Sequence, residues 1–390
     1  MSTIAGFASP SSAAQEQDAP RSGSALSLRR VDGSQWDEVV AGFDGICQEQ
    51  LYGFAAIRWP GVSLEATLFE RHGRIVGGAL IMVQPLPLGL GRIAVAKWAP
   101  MLADMQAGDG AAIYAGMIDG LVEDYAEKRG MMLSILPHAS PAPVNADYMA
   151  LRARGFRRGS ALTYPHRYMV NLRLDDAAQR NSFQQTWRRQ LNKSEKSGLT
   201  FEHAGVAQLP AFKALYEAMS ERKQFPDYSA YDTLDALMAM DEPLRPELFF
   251  VRHEGEIVAG ALIFKAGDRA VYLYGATNDQ ALPLRAGYFL HWHVIRWLRD
   301  HTRARWYDLG GTDGFLGLHQ FKKGMVGEAG RIEPVPPVAN YAASSLAYGL
   351  GASAFAARDG LTRLKQKLLH MRGGMAKPDQ PLPELDDYLK

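Results

Sequence analysis

The 390-residue chain has one cysteine, Cys47, so it can form neither an internal disulfide nor a cysteine-based zinc site. A reducing cytoplasm is the compartment this fits. Charge of one sign is equally scarce: 43 Lys and Arg face 42 Asp and Glu, a formal net charge of +1. No global field draws the molecule to a polyanion, and such a partner has to be met by a local patch. Long hydrophobic runs are missing too. The longest apolar stretch, Ile75 to Leu102, is broken by Gln84, Pro85, Pro87, Arg92 and Lys97, which argues against a membrane span. Residues 1–26 lack the basic start and apolar core of a signal peptide and read as a disordered leader. There is no Gly-x-Ser-x-Gly elbow and no P-loop. His291 and His293, two apart on an expected helix, point to different faces, so no metal site is expected.

What the chain does have is a repeat. The segment Leu68 to Ile81 matches Phe249 to Ile263 with one residue added at the turn, and each copy reads as an apolar hairpin. Downstream, Ala112 to Arg129 has helical apolar spacing and runs into a strand at Met131 to Leu136. Gly287 to His301 runs likewise into Trp306 to Leu309. The shared order of hairpin, strand, helix and strand predicts a duplicated mixed α/β unit.

The most site-like stretch is Tyr307 to Gly324. Asp308 lies between apolar strand residues and should point away from Tyr307 and Leu309. Gly310 and Gly311 remove side chains where a ligand or a second backbone could pack, or else simply make a tight turn. Lys322 and Lys323, taken alone, read as a solvated face. Basic residues also concentrate between the repeats. On a helix from about Ser182 to Lys196, Arg189, Lys193 and Lys196 share one face, which could hold phosphates or be merely solvated.

The strand, Gly-Gly turn and Phe321-Lys322-Lys323-Gly324 order resembles the signature of the FemABX family, bacterial transferases with tandem acetyltransferase-like (GNAT-like) domains. Thr186 to Leu199 is similar to the family's Arg-x-x-(Ile/Leu)-Asn-Lys-x-x-Lys-x-Gly segment, and Met219 to Phe225 to its Thr-x-x-Arg-x-Gly-Phe segment. The resemblance covers roughly residues 30 to 345. It implies an α/β (mixed α+β) chain of two tandem GNAT-like domains, at 27–165 and 166–345, followed by a C-terminal helix and flexible tail at 346–390. It also implies a cytoplasmic enzyme that moves an amino acid from aminoacyl-tRNA onto an amine of a nucleotide-sugar peptide or lipid-linked peptidoglycan precursor, with no resident cofactor.

Carried over residue by residue, Lys322 would supply charge to the terminal phosphates or the oxyanion, with Lys323 beside it, and Phe321 would pack on the terminal nucleotide or the transferred residue. Asp308 could orient or deprotonate the amine, or act as a structural cap. Arg222 would grip the acceptor diphosphate, Tyr274 would line the acceptor groove, and Arg58 stands in for a family lysine. Tyr307, Gly310 and Gly311 complete the expected substrate-binding set. Two departures bear on the acceptor: Pro226 follows Phe225 where a tyrosine is often found, and Tyr52 to Trp59 lacks the usual Trp-x-x-x-Lys.

GNAT enzymes hold coenzyme A pyrophosphate on an (Arg/Gln)-x-x-Gly-x-(Gly/Ala) loop at a helix N-terminus. Arg285 to Leu290 is a degenerate version of it, which leaves acyl-CoA or an acyl carrier protein as the alternative donor, for instance in exopolysaccharide assembly. A non-catalytic binding partner is the third reading. The uncharged tract Pro334 to Ala357 and the basic run after it (Arg358, Arg363, Lys365, Lys367, Arg372) read as a packed C-terminal helix with a solvated end, in preference to a helix resting on an anionic membrane.

Overall fold

The duplicated hairpin forms in both copies through the same two-residue turn, closed by Arg71 with Arg74 in one and His253 with Glu256 in the other, so the residue expected to be added at the second turn is not there. Ser63–Arg71 pairs antiparallel with Arg74–Pro85, and Glu247–His253 with Glu256–Ala266. Both central turn residues have positive φ in each case, His72 (52°) and Gly73 (73°) in one, Glu254 (51°) and Gly255 (87°) in the other. Such turns match the right-handed twist of the flanking strands. Each hairpin also carries a register shift, at Phe69/Glu70 and at Val251/Arg252, so the copies agree in detail.

The computed structural model describes residues 26–140, 144–223 and 231–371. The expected leader, Gln224-Phe225-Pro226 and the tail from Gly373 lie outside the described residues. In chain order the elements are β1 (Ser27–Val31), α1 (Gly33–Val40), α2 (Tyr52–Arg58), β2 (Ser63–Arg71), β3 (Arg74–Pro85), β4 (Arg92–Lys97), β5 (Met101–Leu102), α3 (Gly110–Leu121), β6 (Met132–Leu136), α4 (Ala146–Ala153) and β7 (Arg157–Arg158). Then come β8 (His166–Asn171), α5 (Asp176–Ser182), α6 (Gln185–Ser194), β9 (Leu199–Ala204), α7 (Leu209–Lys223), α8 (Leu234–Met238), β10 (Glu247–His253), β11 (Glu256–Ala266) and β12 (Arg269–Thr277). The chain continues with α9 (Ala286–His301), β13 (Trp306–Asp308), α10 (Leu316–Val326), β14 (Arg331–Pro334), β15 (Ala339–Tyr341) and α11 (Ser345–Met371).

Two mixed sheets result. The first has the order β1-β2-β3-β4-β6-β15-β7, with β5 paired to β3, and the second β9-β10-β11-β12-β13-β8-β14. The β4–β6 and β12–β13 pairs are parallel, each joined by its crossover helix, α3 or α9. The sixth places are exchanged. β8, the last strand of the first repeat, lies between β13 and β14, and β15, the last strand of the second, lies between β6 and β7. Residues 339–341 therefore belong to the first sheet, although a contiguous division at 345 assigns them to the second domain. Their backbone groups are satisfied only by β6 and β7.

The helix expected over Ala112 to Arg129 is present, as α3 to Leu121 and then as a wider helix from Val122 through Lys128. One further expectation is adjusted. The helix expected from Ser182 to Lys196 is split, because Phe183 adopts extended geometry and turns its ring against Trp187, with centroids 4.3 Å apart. α6 starts after that break.

The sheets also share a core. Trp36, Val40, Phe43 and Leu68 from the first half pack with Leu237, Phe264 and Val271 from the second. Gly267, at φ +62°, lies so close to the first domain that a Cβ would stand 2.1 Å from the Phe43 carbonyl oxygen. The Gly45 N–H donates to Asp268 Oδ1 at 2.8 Å, and Arg303 pairs with Asp44 at 2.8 Å across the same boundary. Among the described residues, no helix is long and apolar enough to cross a membrane.

Candidate active site

The alternation of β13 puts Tyr307 and Leu309 into the core under α9, and Asp308 onto the opposite face, toward the first domain. Gly310 follows at φ +73°, a conformation that favours glycine, and its N–H donates to Asp308 Oδ1 at 2.9 Å. Gly311 is ordinary in comparison: a Cβ there would stand 3.7 Å from the His166 carbonyl oxygen, a normal contact.

Asp308 is buried and takes a two-pronged bond from Arg167, Nη2 at 2.7 Å and Nε at 3.1 Å, with Arg269 at 3.8 Å. Burial alone would raise its pKa, but Arg167 and Arg269 outweigh it and hold the carboxyl below its ordinary range. A carboxylate so stabilised is a poor proton acceptor. Of the roles expected of Asp308, these contacts support the structural cap, a buried anchor of the turn, over the base.

Lys322 reaches the same turn from α10. It belongs to the inward side of that helix with Met325 and Val326, and its Nζ donates to the carbonyls of Leu309 at 2.5 Å and Gly311 at 2.6 Å. Burial, reinforced by Arg167, pulls its pKa down to about 8. The solvated-face reading therefore fails for Lys322, and its ammonium is committed to backbone oxygens instead of presented to a phosphate. Lys323, one position on, is exposed.

Phe321 is half-buried in an aromatic cluster with Trp187 of α6 (6.2 Å between centroids), Tyr288 (4.9 Å) and His291 (5.6 Å) of α9. It covers the first turn of α9, 3.9 Å from where a Gly287 Cβ would be. Tyr307 is buried and bonded to His291 Nδ1 at 3.0 Å. Burial, with Lys322 adding to it, lowers the pKa of His291 to about 3, so this imidazole is neutral.

The other expected residues lie on the far face of the second sheet. Tyr274 is buried beside Tyr216 of α7, and Arg58, at the end of α2, stands 3.9 Å from Asp232. Arg222, near the end of α7, donates to the Thr277 carbonyl at 2.9 Å and pairs with Asp279 at 2.6 Å. The sheet thus separates Tyr274 from Phe321 and Lys322, while Asp308 and Lys322 meet at the turn 309–311.

Sequence reasoning did not pick out the wall around Asp308. A small inter-domain pocket is lined by Cys47 and Glu49 of the first domain, Trp98 and His138, and Arg167, Arg269 and Asp308 of the second sheet. The Arg167 guanidinium lies 5.4 Å from the Trp98 ring centroid. Burial lowers the pKa of His138 to about 4, and its Nε2 lies 2.9 Å from the Gly45 carbonyl oxygen. The overlooked signal was an arginine at the head of the apolar run of β8, which requires a partner when buried.

On the α9 side the helix α6 exposes Arg189 and Lys193, with Lys196 exposed just beyond its end. None of the three pairs with a carboxylate among the described residues. α6 also packs on α10. A Cβ at Gly324 would stand 3.1 Å from the Trp187 ring, and the Gln184 N–H donates to the Gly324 carbonyl at 3.0 Å. α6 thus packs on α10 through its buried Trp187 face, and Arg189 and Lys193 lie on the outer face of the same helix. Among the described residues no three His, Cys, Asp or Glu side chains converge as a metal-ligand set.

Residues 181–323 match the family described as acetyltransferase (GNAT) domain. The lipid II:glycine glycyltransferase of Staphylococcus aureus is 31% identical over 96 residues, 22% of this chain and 23% of that protein. The chain thus spans under a quarter of the length of the curated relatives it matches. In three dimensions it is similar to FemX, with a TM-score of 0.69 at 18% identity, covering 84% of this chain and all of that one. A putative lysylphosphatidylglycerol synthetase C-terminal domain from Agrobacterium fabrum superposes with a TM-score of 0.52 at 15% identity, covering 83% of this chain and 96% of that one. Residues 181–323 are accordingly similar to a GNAT domain, and the chain of two mixed sheets shares the fold of FemX.

Proposed function

We propose that the protein is an amide-forming aminoacyltransferase that takes its acyl group from aminoacyl-tRNA and passes it to an amine of a lipid-linked or nucleotide-linked cell-envelope precursor, at the cytoplasmic side of the membrane. One observation carries the choice of donor. α6, whose buried Trp187 packs on Phe321, carries on its outer face Arg189 and Lys193, which pair with no carboxylate among the described residues, so the helix beside the aromatic cluster at the first turn of α9 also offers phosphate contacts. A polynucleotide donor would be held there by its backbone, with salt-dependent affinity. The relative named for lipid II glycyl transfer supports the acceptor class.

In the reaction the acceptor amine attacks the ester carbonyl, a C–N bond forms and the C–O bond to the terminal ribose breaks. The proton shed by the amine passes to the departing ribose oxygen. Because the ester is already activated, alignment and stabilisation of the tetrahedral oxyanion carry the catalysis. Lys322 and Asp308 contribute by fixing the turn at 308–311 against which the reactants are positioned.

The test is mass spectrometry of UDP-MurNAc-pentapeptide and lipid II after incubation with the protein and charged total tRNA, with and without RNase. A mass gain of one amino-acid residue that RNase abolishes is expected. Modification of an amine by acyl-CoA or an acyl carrier protein, with none from charged tRNA, would sink the proposal and assign the donor site to a thioester.

A further inference from the structure

The loop between β3 and β4 breaks the usual rule for where leucines go. It is closed by hydrogen bonds from the Leu86 N–H to the Gly91 carbonyl at 2.9 Å and from the Leu90 N–H to the Pro87 carbonyl at 3.2 Å. At its tip Leu88 sits at φ +60° with 94% of its surface exposed, and Leu90 is 51% exposed. A left-handed leucine costs about 1–2 kcal/mol, and here no burial within the described fold offsets it.

The base of the loop rests on α11. Leu86 and Ile93 pack with Met132 against Tyr348, Leu350, Ala354 and Phe355. α11 carries exposed leucines of its own, Leu346 (73%), Leu361 (68%) and Leu364 (54%). Leu346 and Leu364 are five full turns apart and share one side of the helix.

Cations lie by the base of this loop and along α11. Arg92 in β4 and Arg157 and Arg158 in β7 are exposed, and the Arg157 guanidinium lies 4.6 Å from the Tyr348 ring centroid. Arg358 lies over Phe355 and pairs with Asp359. From Arg71 to Ala103 the sequence has no acidic residue, and the sequence of α11 adds Arg363, Lys365 and Lys367 beyond Arg358.

We propose that this end of the molecule docks on an anionic lipid bilayer. Leu88 and Leu90 enter the acyl region, and the arginines at the loop's base, with Arg358 on α11, meet the headgroups. The order along the loop favours a bilayer, because the exposed leucines of the tip are backed at its base by Arg92, opposite Pro85, and by Arg157 over Tyr348, the order in which a membrane presents acyl chains and anionic headgroups. This surface is independent of the donor and the reaction proposed above.

The test is sedimentation of the full-length protein with sucrose-loaded vesicles of phosphatidylcholine alone or mixed with phosphatidylglycerol, with no donor or acceptor present. The wild type should bind the anionic vesicles, less so as salt rises, and Leu88→Glu with Leu90→Glu should reduce partitioning about tenfold at an unchanged melting temperature. Equal binding by wild type and variant, or no binding of the wild type to anionic vesicles, overturns the proposal. Self-association that depends on Leu88, without vesicle binding, also overturns it and assigns the face to a second copy of the chain.

Discussion

Asp308 and Lys322 hold one turn by its opposite groups: the carboxylate accepts the Gly310 N–H, while the ammonium donates to the Leu309 and Gly311 carbonyls. The two charges approach the turn from different faces of the second sheet. Arg167 satisfies the carboxylate, so Lys322 is left to the backbone oxygens alone.

Removal of the ammonium leaves two carbonyls without their donor. Lys322→Met should therefore destabilise the protein by about 3 kcal/mol, read as a lower urea midpoint at unchanged slope. The pH dependence identifies the cause. With a folded pKa near 8 against 10.5 for the free group, the unfolded chain binds the extra proton between those values, so this lysine makes stability rise with pH across that window. The stability difference between wild type and Lys322→Met should grow in favour of wild type from pH 8 to 10.5, and a flat difference would contradict the assignment.

Asp308 has the opposite linkage. Its folded pKa lies below the free value of 3.8, so its stabilisation is complete above that value and is lost as the pH falls through the folded pKa. Asp308→Asn should cost about 3–5 kcal/mol at neutral pH by stranding Arg167, and should flatten the acid limb of the stability profile. Because the carboxylate is an anchor, the pH dependence of kcat/KM near neutrality should owe no inflection to it.

Arg189→Glu combined with Lys193→Glu changes only exposed side chains, so stability should stay within about 0.5 kcal/mol. The KM for charged tRNA should rise at least about tenfold, and its salt dependence should become shallower. An unchanged KM in a transfer assay would remove the donor from this face.

Gly267→Ala tests the inter-domain contact. The position combines φ +62° with the Phe43 oxygen 2.1 Å from a would-be Cβ, and both terms oppose a side chain. A loss of at least about 2 kcal/mol in chemical denaturation is expected.

The repeat was legible because hairpin periodicity and turn residues are local, and the helix-to-strand order could be read twice in one chain. Asp308 was placed on the correct face by alternation alone. The role of Lys322 was not legible, since adjacent lysines look alike in sequence and only the packing of α10 decides that Lys322 turns inward while Lys323 stays in solvent. Arg167 was one more member of a basic run until its strand was found beside β13. The place of β15 was hidden for a related reason: pairing partners about 200 residues away in sequence leave no local pattern.

The exchange of β8 and β15 decides how the molecule can move. In most two-domain enzymes a few linker residues act as a hinge and the cleft breathes with them. Here each sheet holds a strand of the other repeat by backbone hydrogen bonds on both of its edges, so swinging the halves apart means tearing two sheets. The spacing between Trp98 and Arg167 across the pocket is then a fixed dimension, set with the protein's global stability and not by a low-energy opening. Substrates have to be admitted by loops and side chains at the rim, on their faster timescale, while the walls stand still.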